Sequence, residues 1–123
     1  MYKLSVKSEF SAAHSLREYK GKCEALHGHN WKVEAVVAAL KLDRQGLALD
    51  FHKIKKALRD VLDELDHRYL NQLLYFKKHN PTSENLAKYI FDKLLLYRLK
   101  GNGHLEAVTV WESDNCSATY SIE

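Results

Sequence analysis

Three histidines carry the strongest chemical character in this sequence. His27 and His29 are separated by a single glycine. In an extended strand, residues i and i+2 project from the same face, so both imidazoles can meet one metal ion while Gly28 leaves the opposite face uncrowded. His14 closes an upstream alternating segment, on the parity of that segment's apolar face. If the two segments pair as strands, three imidazoles converge and leave a tetrahedral zinc one open position, as in catalytic sites. The plainer alternative is a set of hydrogen-bonded core histidines, since His-x-His is a common and unspecific pattern.

Cys23 lies four residues before His27. It could be a fourth zinc ligand that closes the site, a thiolate acting as base near a cation, or an inert thiol, and spacing alone does not separate the three. Asp66 and His67 form an adjacent acid–imidazole pair, a frequent acid/base arrangement, although a histidine at a helix C-terminus also interacts well with the helix dipole. Glu112 sits at a strand end, a solvated acid by default. Its functional reading is a carboxylate that accepts two N–H bonds from a planar heterocycle. Thr82 and Glu84 are most simply helix-cap residues. Arg17, Lys20 and Lys22 make the segment around Cys23 electropositive. His52, His79 and His104 lie among charged or turn residues and read as surface, and Cys116 alternates with Ala118, Tyr120 and Ile122 as a small core residue.

The elements that must position these groups follow from hydrophobic period. Tyr2, Leu4, Val6, Phe10, Ala12 and His14 share one parity, opposite Lys3, Ser5, Lys7 and Glu9, which predicts a half-buried strand. A second strand is expected over residues 27–42, with His27, His29, Trp31, Val33, Ala35 and Val37 on one face, and residues 15–26 form the loop between. Asp50 is a candidate N-cap for a helix whose apolar stripe is Phe51, Ile54, Leu58, Val61, Leu62 and Leu65. Residues 66–80 show no clear period. Asn80-Pro81-Thr82-Ser83-Glu84 carries helix-start signals, and a second helix is expected over residues 83–98 with Leu86, Ile90, Leu94 and Tyr97 inward. Residues 105–111 and 116–122 read as a hairpin turning at Ser113-Asp114-Asn115. The resulting order, β-β-α-α-β-β, predicts an α+β domain: a four-stranded antiparallel sheet with two helices on one face.

Composition narrows the function classes. The 123 residues carry one proline and no repeat or low-complexity stretch, which predicts a single domain over residues 1–123. A net charge of +3 from 19 basic and 16 acidic side chains, dispersed along the chain, argues against a nucleic-acid binder. The longest apolar run, Ala35 to Leu40, is far short of the roughly 20 residues of a membrane helix. The alternating N-terminus reads as a strand instead of a signal peptide. Two cysteines make no disulfide framework, so a reducing cytoplasm is the expected compartment.

Taken together, Phe10-Ser11-Ala12-Ala13-His14, Cys23-x-x-x-His27-Gly28-His29-Asn30-Trp31, Asp50-Phe51, Leu65-Asp66-His67-x-x-Leu70-Asn71, Asn80-Pro81-Thr82-Ser83-Glu84-Asn85-Leu86-Ala87 and Trp111-Glu112-Ser113 resemble the 6-pyruvoyl-tetrahydropterin synthase family in order and spacing. The resemblance runs from about residue 3 to 122, and the Cys-x-x-x-His-Gly-His spacing is most similar to its bacterial branch, the 6-carboxy-5,6,7,8-tetrahydropterin synthases of queuosine biosynthesis. It implies a tunnelling fold (T-fold) whose subunits assemble into a homohexamer, a dimer of trimers, with active sites between subunits. It also implies zinc held by His14, His27 and His29, Cys23 as general base, and His67 oriented by Asp66 as the partner acid/base. Glu112 would anchor the pterin, with Thr82 lining the same pocket. The implied substrate is 7,8-dihydroneopterin triphosphate, a small molecule, and Arg17, Lys20 and Lys22 are the candidates by charge for its triphosphate. Conversion to 6-carboxytetrahydropterin would release triphosphate and acetaldehyde. The related outcome is 6-pyruvoyltetrahydropterin without side-chain cleavage, and a remote alternative is a non-catalytic zinc module closed by Cys23. Gln72 departs from the acid that many relatives place after the asparagine of the Leu-Asp-His-x-x-Leu-Asn motif, which touches local packing only.

Overall fold

A computed structural model describes residues 1–21 and 24–122, so Lys22 and Cys23 lie outside the described residues. Strand β1 (Tyr2–His14) and strand β2 (His27–Ala39) pair antiparallel along their whole length, with His14 opposite His27 and Ala12 opposite His29. Helix α1 (Phe51–Asp63) follows, then a two-residue strand β3 (Arg68–Tyr69), a 3₁₀ turn (Leu70–Gln72), the short helix α2 (Leu74–Lys78), helix α3 (Ser83–Leu95), and strands β4 (Gly103–Ser113) and β5 (Cys116–Ser121). The sheet order is β3-β1-β2-β4-β5.

The alternation in β1 is realised from Val6 onward: Val6, Phe10, Ala12 and His14 are buried while Lys3, Lys7 and Glu9 are exposed, and Tyr2 at the strand's start is exposed against expectation. Trp31, Val33, Ala35 and Val37 continue the same face across β2, and Val108 and Val110 extend it into β4. Onto this face α1 packs along β1, and α3 packs along β4 and β5. Each helix starts at its predicted cap. The Asp50 side chain accepts from the His52 N–H, and the Thr82 hydroxyl accepts from the Asn85 N–H at 3.1 Å. Ile54, Ala57, Leu58, Val61 and Leu62 form the buried stripe of α1, and Leu86, Ala87, Ile90, Phe91 and Leu94 that of α3. Gly103 opens β4 where the strands approach closely: a Cβ there would lie 2.5 Å from Val37 Cγ1.

The architecture is α+β, but the four-stranded antiparallel sheet with two helices needs correction. Among the described residues the sheet has five strands and is mixed, because β3 runs parallel to β1 through Ala12–Arg68 and Ala13–Tyr69, and there are three α-helices. Both additions fall in residues 66–80. A two-residue strand cannot display a period of two, and α2 buries only Phe76, which is too little for a helical stripe. Helix α3 also ends earlier than the sequence suggests. Beyond Leu95 the N–H groups of Leu96, Tyr97 and Arg98 bond carbonyls three residues back, a tighter turn than the helix, and Tyr97 is exposed instead of facing inward. Strand β2 stops at Ala39, with Leu40 exposed. Cys116 is likewise exposed, not a core residue, because it opens the edge strand β5 at the hairpin turn, opposite Ser113. No helix among the described residues is long and apolar enough to cross a membrane.

Candidate metal centre and catalytic site

His14, His27 and His29 stand on the helix-covered face at one end of the sheet. Their register follows from the strand pairing, which stacks His14 against His27 and sets His29 two residues further along β2. One ring nitrogen of each lies within 4.8 Å of the others, and no further histidine, cysteine or acid among the described residues joins the group. His14 is 1% exposed, and Trp31 packs edge-on against both His14 and His29. The Trp31 indole N–H in turn donates to the Ala12 carbonyl at 3.2 Å, which fixes that wall.

The hydrogen bonds around the rings decide what the triad can hold. His14 Nδ1 lies 2.8 Å from the Pro81 carbonyl oxygen and His27 Nδ1 2.8 Å from the Ala25 carbonyl oxygen. A carbonyl only accepts, so each Nδ1 carries the proton and each Nε2 offers a lone pair inward. This is the arrangement of metal-bound histidines, whose second nitrogen is held by a backbone acceptor. His29 Nε2 is buried and has no hydrogen-bond partner, an orphaned polar atom that a metal would satisfy. Burial pushes the His29 imidazole below its ordinary pKa, partly opposed by the Glu112 carboxylate, and so favours the neutral form that a metal requires. The donor set therefore fits a metal ion, and three imidazole nitrogens suit zinc with a free position.

Glu112 belongs to this end of the sheet. It shares the face of Val108 and Val110, sits where the β4–β5 register shifts between Trp111 and Ser113, and brings Oε1 to 3.7 Å from His29 Nε2. A bulge re-aims a strand-end side chain.

Asp66 and His67 belong to a different surface. Asp66 Oδ1 accepts from the Ser11 N–H at 2.8 Å, its other oxygen lies 3.0 Å from His67 Nδ1, and the His67 N–H donates to the Ser11 carbonyl. The Ser11 N–H, ahead of the contact with His67, holds the Asp66 carboxyl below the usual carboxylate range. His67 adopts a left-handed conformation (φ 58°), and its side chain is 82% exposed. It borders a cleft of about 570 Å³ whose lining includes Ser11, Ala13, Gly28, His29, Asn30 and Tyr69. Alternation places Ser11, Ala13, Gly28 and Asn30 on the sheet face opposite the triad.

The remaining sequence candidates have other placements. The Thr82 hydroxyl is engaged in capping α3, although the adjacent Pro81 carbonyl orients His14. Arg17 donates from Nη2 to the Phe76 carbonyl at 2.6 Å, and Lys20 lies over the exposed Tyr19 ring; neither borders the cleft. Lys22 and Cys23 lie outside the described residues. His52, His79 and His104 are exposed as expected.

Single residues do not reveal how the site is held. Asn71 accepts from the Ser15 N–H at 3.0 Å and donates to the Ser15 carbonyl at 2.7 Å, while Asn80 makes the same pair of bonds to Arg17. Two side-chain amides thus substitute for a neighbouring strand and fix the chain leaving His14. Both asparagines lie in the motifs quoted above, but nothing in their spacing records these partners.

The sequence matches the family model described as 6-pyruvoyl tetrahydropterin synthase over residues 3–123. The chain belongs to the 6-pyruvoyl tetrahydropterin synthase family. Members of this family are enzymes acting on pterins, and this chain is one. It is 31% identical to a Rickettsia conorii protein named 6-carboxy-5,6,7,8-tetrahydropterin synthase, over 94% of this chain and 97% of that one. It is also 35% identical to a Pyrococcus furiosus protein named dihydroneopterin monophosphate aldolase, over 88% of this chain and 87% of the other. Among solved structures it resembles the 6-pyruvoyl tetrahydropterin synthase of Caenorhabditis elegans, with a TM-score of 0.82 and 29% identity over 99% of this chain and 96% of that one. The T-fold inferred from the motifs is therefore the fold of this family member.

Proposed function

We propose that this family member is a zinc-dependent 6-carboxy-5,6,7,8-tetrahydropterin synthase, converting 7,8-dihydroneopterin triphosphate and one water to 6-carboxytetrahydropterin, triphosphate and acetaldehyde. The observation that carries the reading is the inward-facing Nε2 triad of His14, His27 and His29, each ligand oriented or orphaned as a metal site requires, in a chain similar to a relative of that name. Zinc held there would act as a Lewis acid toward the substrate's side-chain hydroxyls, making the adjacent C–H more acidic.

The chain's own groups carry the protons. Cys23 would take the side-chain proton as thiolate, and His67, fixed by Asp66, would deliver a proton to the pterin ring. Hydrogen thus moves from side chain to ring, so the redox change is internal and no external reductant is needed. Glu112 would accept two N–H bonds from the amino-pyrimidine edge, and its place beside His29 supports that role. Thr82 would border the same pocket, and Arg17, Lys20 and Lys22 would meet the triphosphate.

His67 and the triad occupy opposite faces of one sheet. That separation supports a site assembled between subunits, in which the acid/base pair of one serves the metal site of another, as in the homohexamer we expect. The expected compartment is the cytoplasm. The second reading, 6-pyruvoyltetrahydropterin formation, is favoured by the match to the C. elegans enzyme. The deciding experiment incubates zinc-loaded protein with 7,8-dihydroneopterin triphosphate and follows products by mass spectrometry alongside an acetaldehyde assay. Carboxytetrahydropterin with acetaldehyde supports the proposal, and pyruvoyltetrahydropterin without acetaldehyde replaces it. No conversion, with Cys23 as a fourth metal ligand, would make the chain a non-catalytic zinc module.

A further inference from the structure

We propose that Asn85 is a positioning residue for the metal centre, acting on His14 through the Pro81 carbonyl. The inference rests on the metal-site reading and adds to it a residue of helix α3 outside the three imidazoles.

His14 depends on one backbone acceptor. Its Nδ1 donates to the Pro81 carbonyl at 2.8 Å, and the ring is buried, so water cannot replace that carbonyl if it turns away. His27 differs, because its bond to the Ala25 carbonyl lies at an exposed surface where solvent can substitute. The direction of the Pro81 carbonyl is therefore critical to the triad: it selects the tautomer that leaves His14 Nε2 free as a ligand.

That direction is set by one peptide plane. The Pro81 carbonyl and the Thr82 N–H belong to the same trans peptide unit and point to opposite sides of it. Thr82 N–H donates back to the Asn80 carbonyl at 2.8 Å, which turns the Pro81 carbonyl the other way, toward His14. The Asn85 side chain donates to that same Asn80 carbonyl from Nδ2 at 2.9 Å, while its backbone N–H is held by the Thr82 hydroxyl at 3.1 Å. Asn80 is tied in turn by its side chain to the backbone of Arg17, on the segment leaving His14. Asn85 thus fastens the turn to α3, Asn80 fastens it to the exit of β1, and the proline ring fixes φ between them.

The choice of an amide over an acid agrees with this role. The third residue after a threonine cap is commonly Glu or Gln, which reaches back to accept from the N–H of the cap residue. Here the Thr82 N–H is already committed to the Asn80 carbonyl, and Asn85 supplies a second donor to that carbonyl. A carboxylate at this position would suit the helix dipole but would face the Asn80 oxygen with no proton to offer. Position 85 carries a donor where helix stability alone favours an acid.

Asn85→Asp separates the two roles. Zinc affinity is measured by chelator competition on the full-length protein, with the visible spectrum of the cobalt-loaded form and the Tm of the metal-free form alongside. The set is wild type, Asn85→Asp, Asn85→Ala and Ile90→Val, the last truncating a buried residue of the α3 stripe that makes no bond to the turn. Both Asn85 variants are expected to weaken zinc by roughly three- to tenfold, less than the ten- to hundredfold typical of a group that contacts a ligand directly, and to shift the cobalt bands. Ile90→Val should lower Tm and leave affinity and spectrum at wild-type values. Wild-type affinity and cobalt bands in either Asn85 variant overturn the assignment while leaving the metal centre intact. Weakening that tracks Tm through all three variants, Ile90→Val included, overturns it in favour of a purely structural role. Wild-type protein that takes up neither metal removes the metal reading itself, and this inference with it.

Discussion

The Nε2 atoms of His14 and His27 face each other at 3.0 Å, while the Nδ1 of each ring donates to a backbone carbonyl. With both tautomers set in this way, two lone pairs meet unless a cation or a shared proton lies between them. Tetrahedral zinc–nitrogen bonds of about 2.05 Å would place two ligand nitrogens about 3.3 Å apart, close to the spacing already present. The apo protein should therefore be less stable than the loaded one. Zinc at about 100 times its dissociation constant should add about 2.7 kcal/mol, read as a higher Tm that chelation reverses. His27→Ala, at a partly exposed ligand, should abolish that shift and reduce zinc content; a metal-dependent Tm unchanged in this variant would exclude the triad as the site.

Cys23→Ala separates base from ligand. A variant with wild-type zinc stoichiometry and no turnover fits the base, because three imidazoles still hold the metal. Loss of zinc together with turnover would make Cys23 part of the coordination sphere. Metal analysis and product formation on one preparation give both readings.

The triad was legible in the sequence because strand alternation is strict: the parity of His14 with Phe10 and Ala12, and of His27 and His29 with Trp31, already fixes a common face. Helix starts were legible for the same local reason, since Asp50 and Thr82 cap through bonds two or three residues away. What stayed hidden depends on contacts distant in sequence. Strand β3 exists because Asp66 and His67 reach back 55 and more residues to Ser11, and neither residue's neighbours signal that partner. The outward turn of Tyr97 follows from the tightening of the chain after Leu95 to bonds three residues back, which apolar spacing does not record. The separation of His67 from the triad by the thickness of the sheet is likewise a property of pairing, not of spacing.

Asn71 closes two bonds to the Ser15 backbone that no other side chain can replace. Asn71→Ala leaves a part-buried N–H and carbonyl unpaired next to His14, at a cost of about 1–3 kcal/mol in urea unfolding. Asn71→Asp keeps the acceptor for the Ser15 N–H and loses the donor, so its loss should be smaller at neutral pH. Equal stability of the alanine variant and wild type would show that the bridge contributes nothing.

Asp66 gives the acid limb of stability. Its folded carboxyl titrates below its unfolded value of about 3.9, chiefly because Ser11 N–H favours the ionised form. A depressed carboxyl contributes stability that is complete above the unfolded value and is lost as pH falls through the folded one. Asp66→Asn should therefore be less stable than wild type at pH 7, with the difference shrinking below about pH 4. Parallel stability curves from pH 7 to pH 2 would remove the carboxylate from the account.

Glu112 has two possible employments, and its position allows them to be separated. Its Oε1 lies 3.7 Å from His29 Nε2 but does not come within reach of all three rings, so it stands beside the triad, close enough for one ligand to touch both. As an acceptor for the amino-pyrimidine edge, its removal leaves ring N–H groups unpaired on binding, at about 1–3 kcal/mol. Glu112→Ala is then expected to weaken neopterin roughly tenfold or more while zinc content and the zinc-dependent Tm shift stay at wild-type levels. Glu112→Gln should fall between the two, since the amide keeps one acceptor but presents a donor to the same N–H edge. Unaltered neopterin affinity in the alanine variant sinks the anchor, and a loss of zinc would instead make Glu112 a support for the metal through His29.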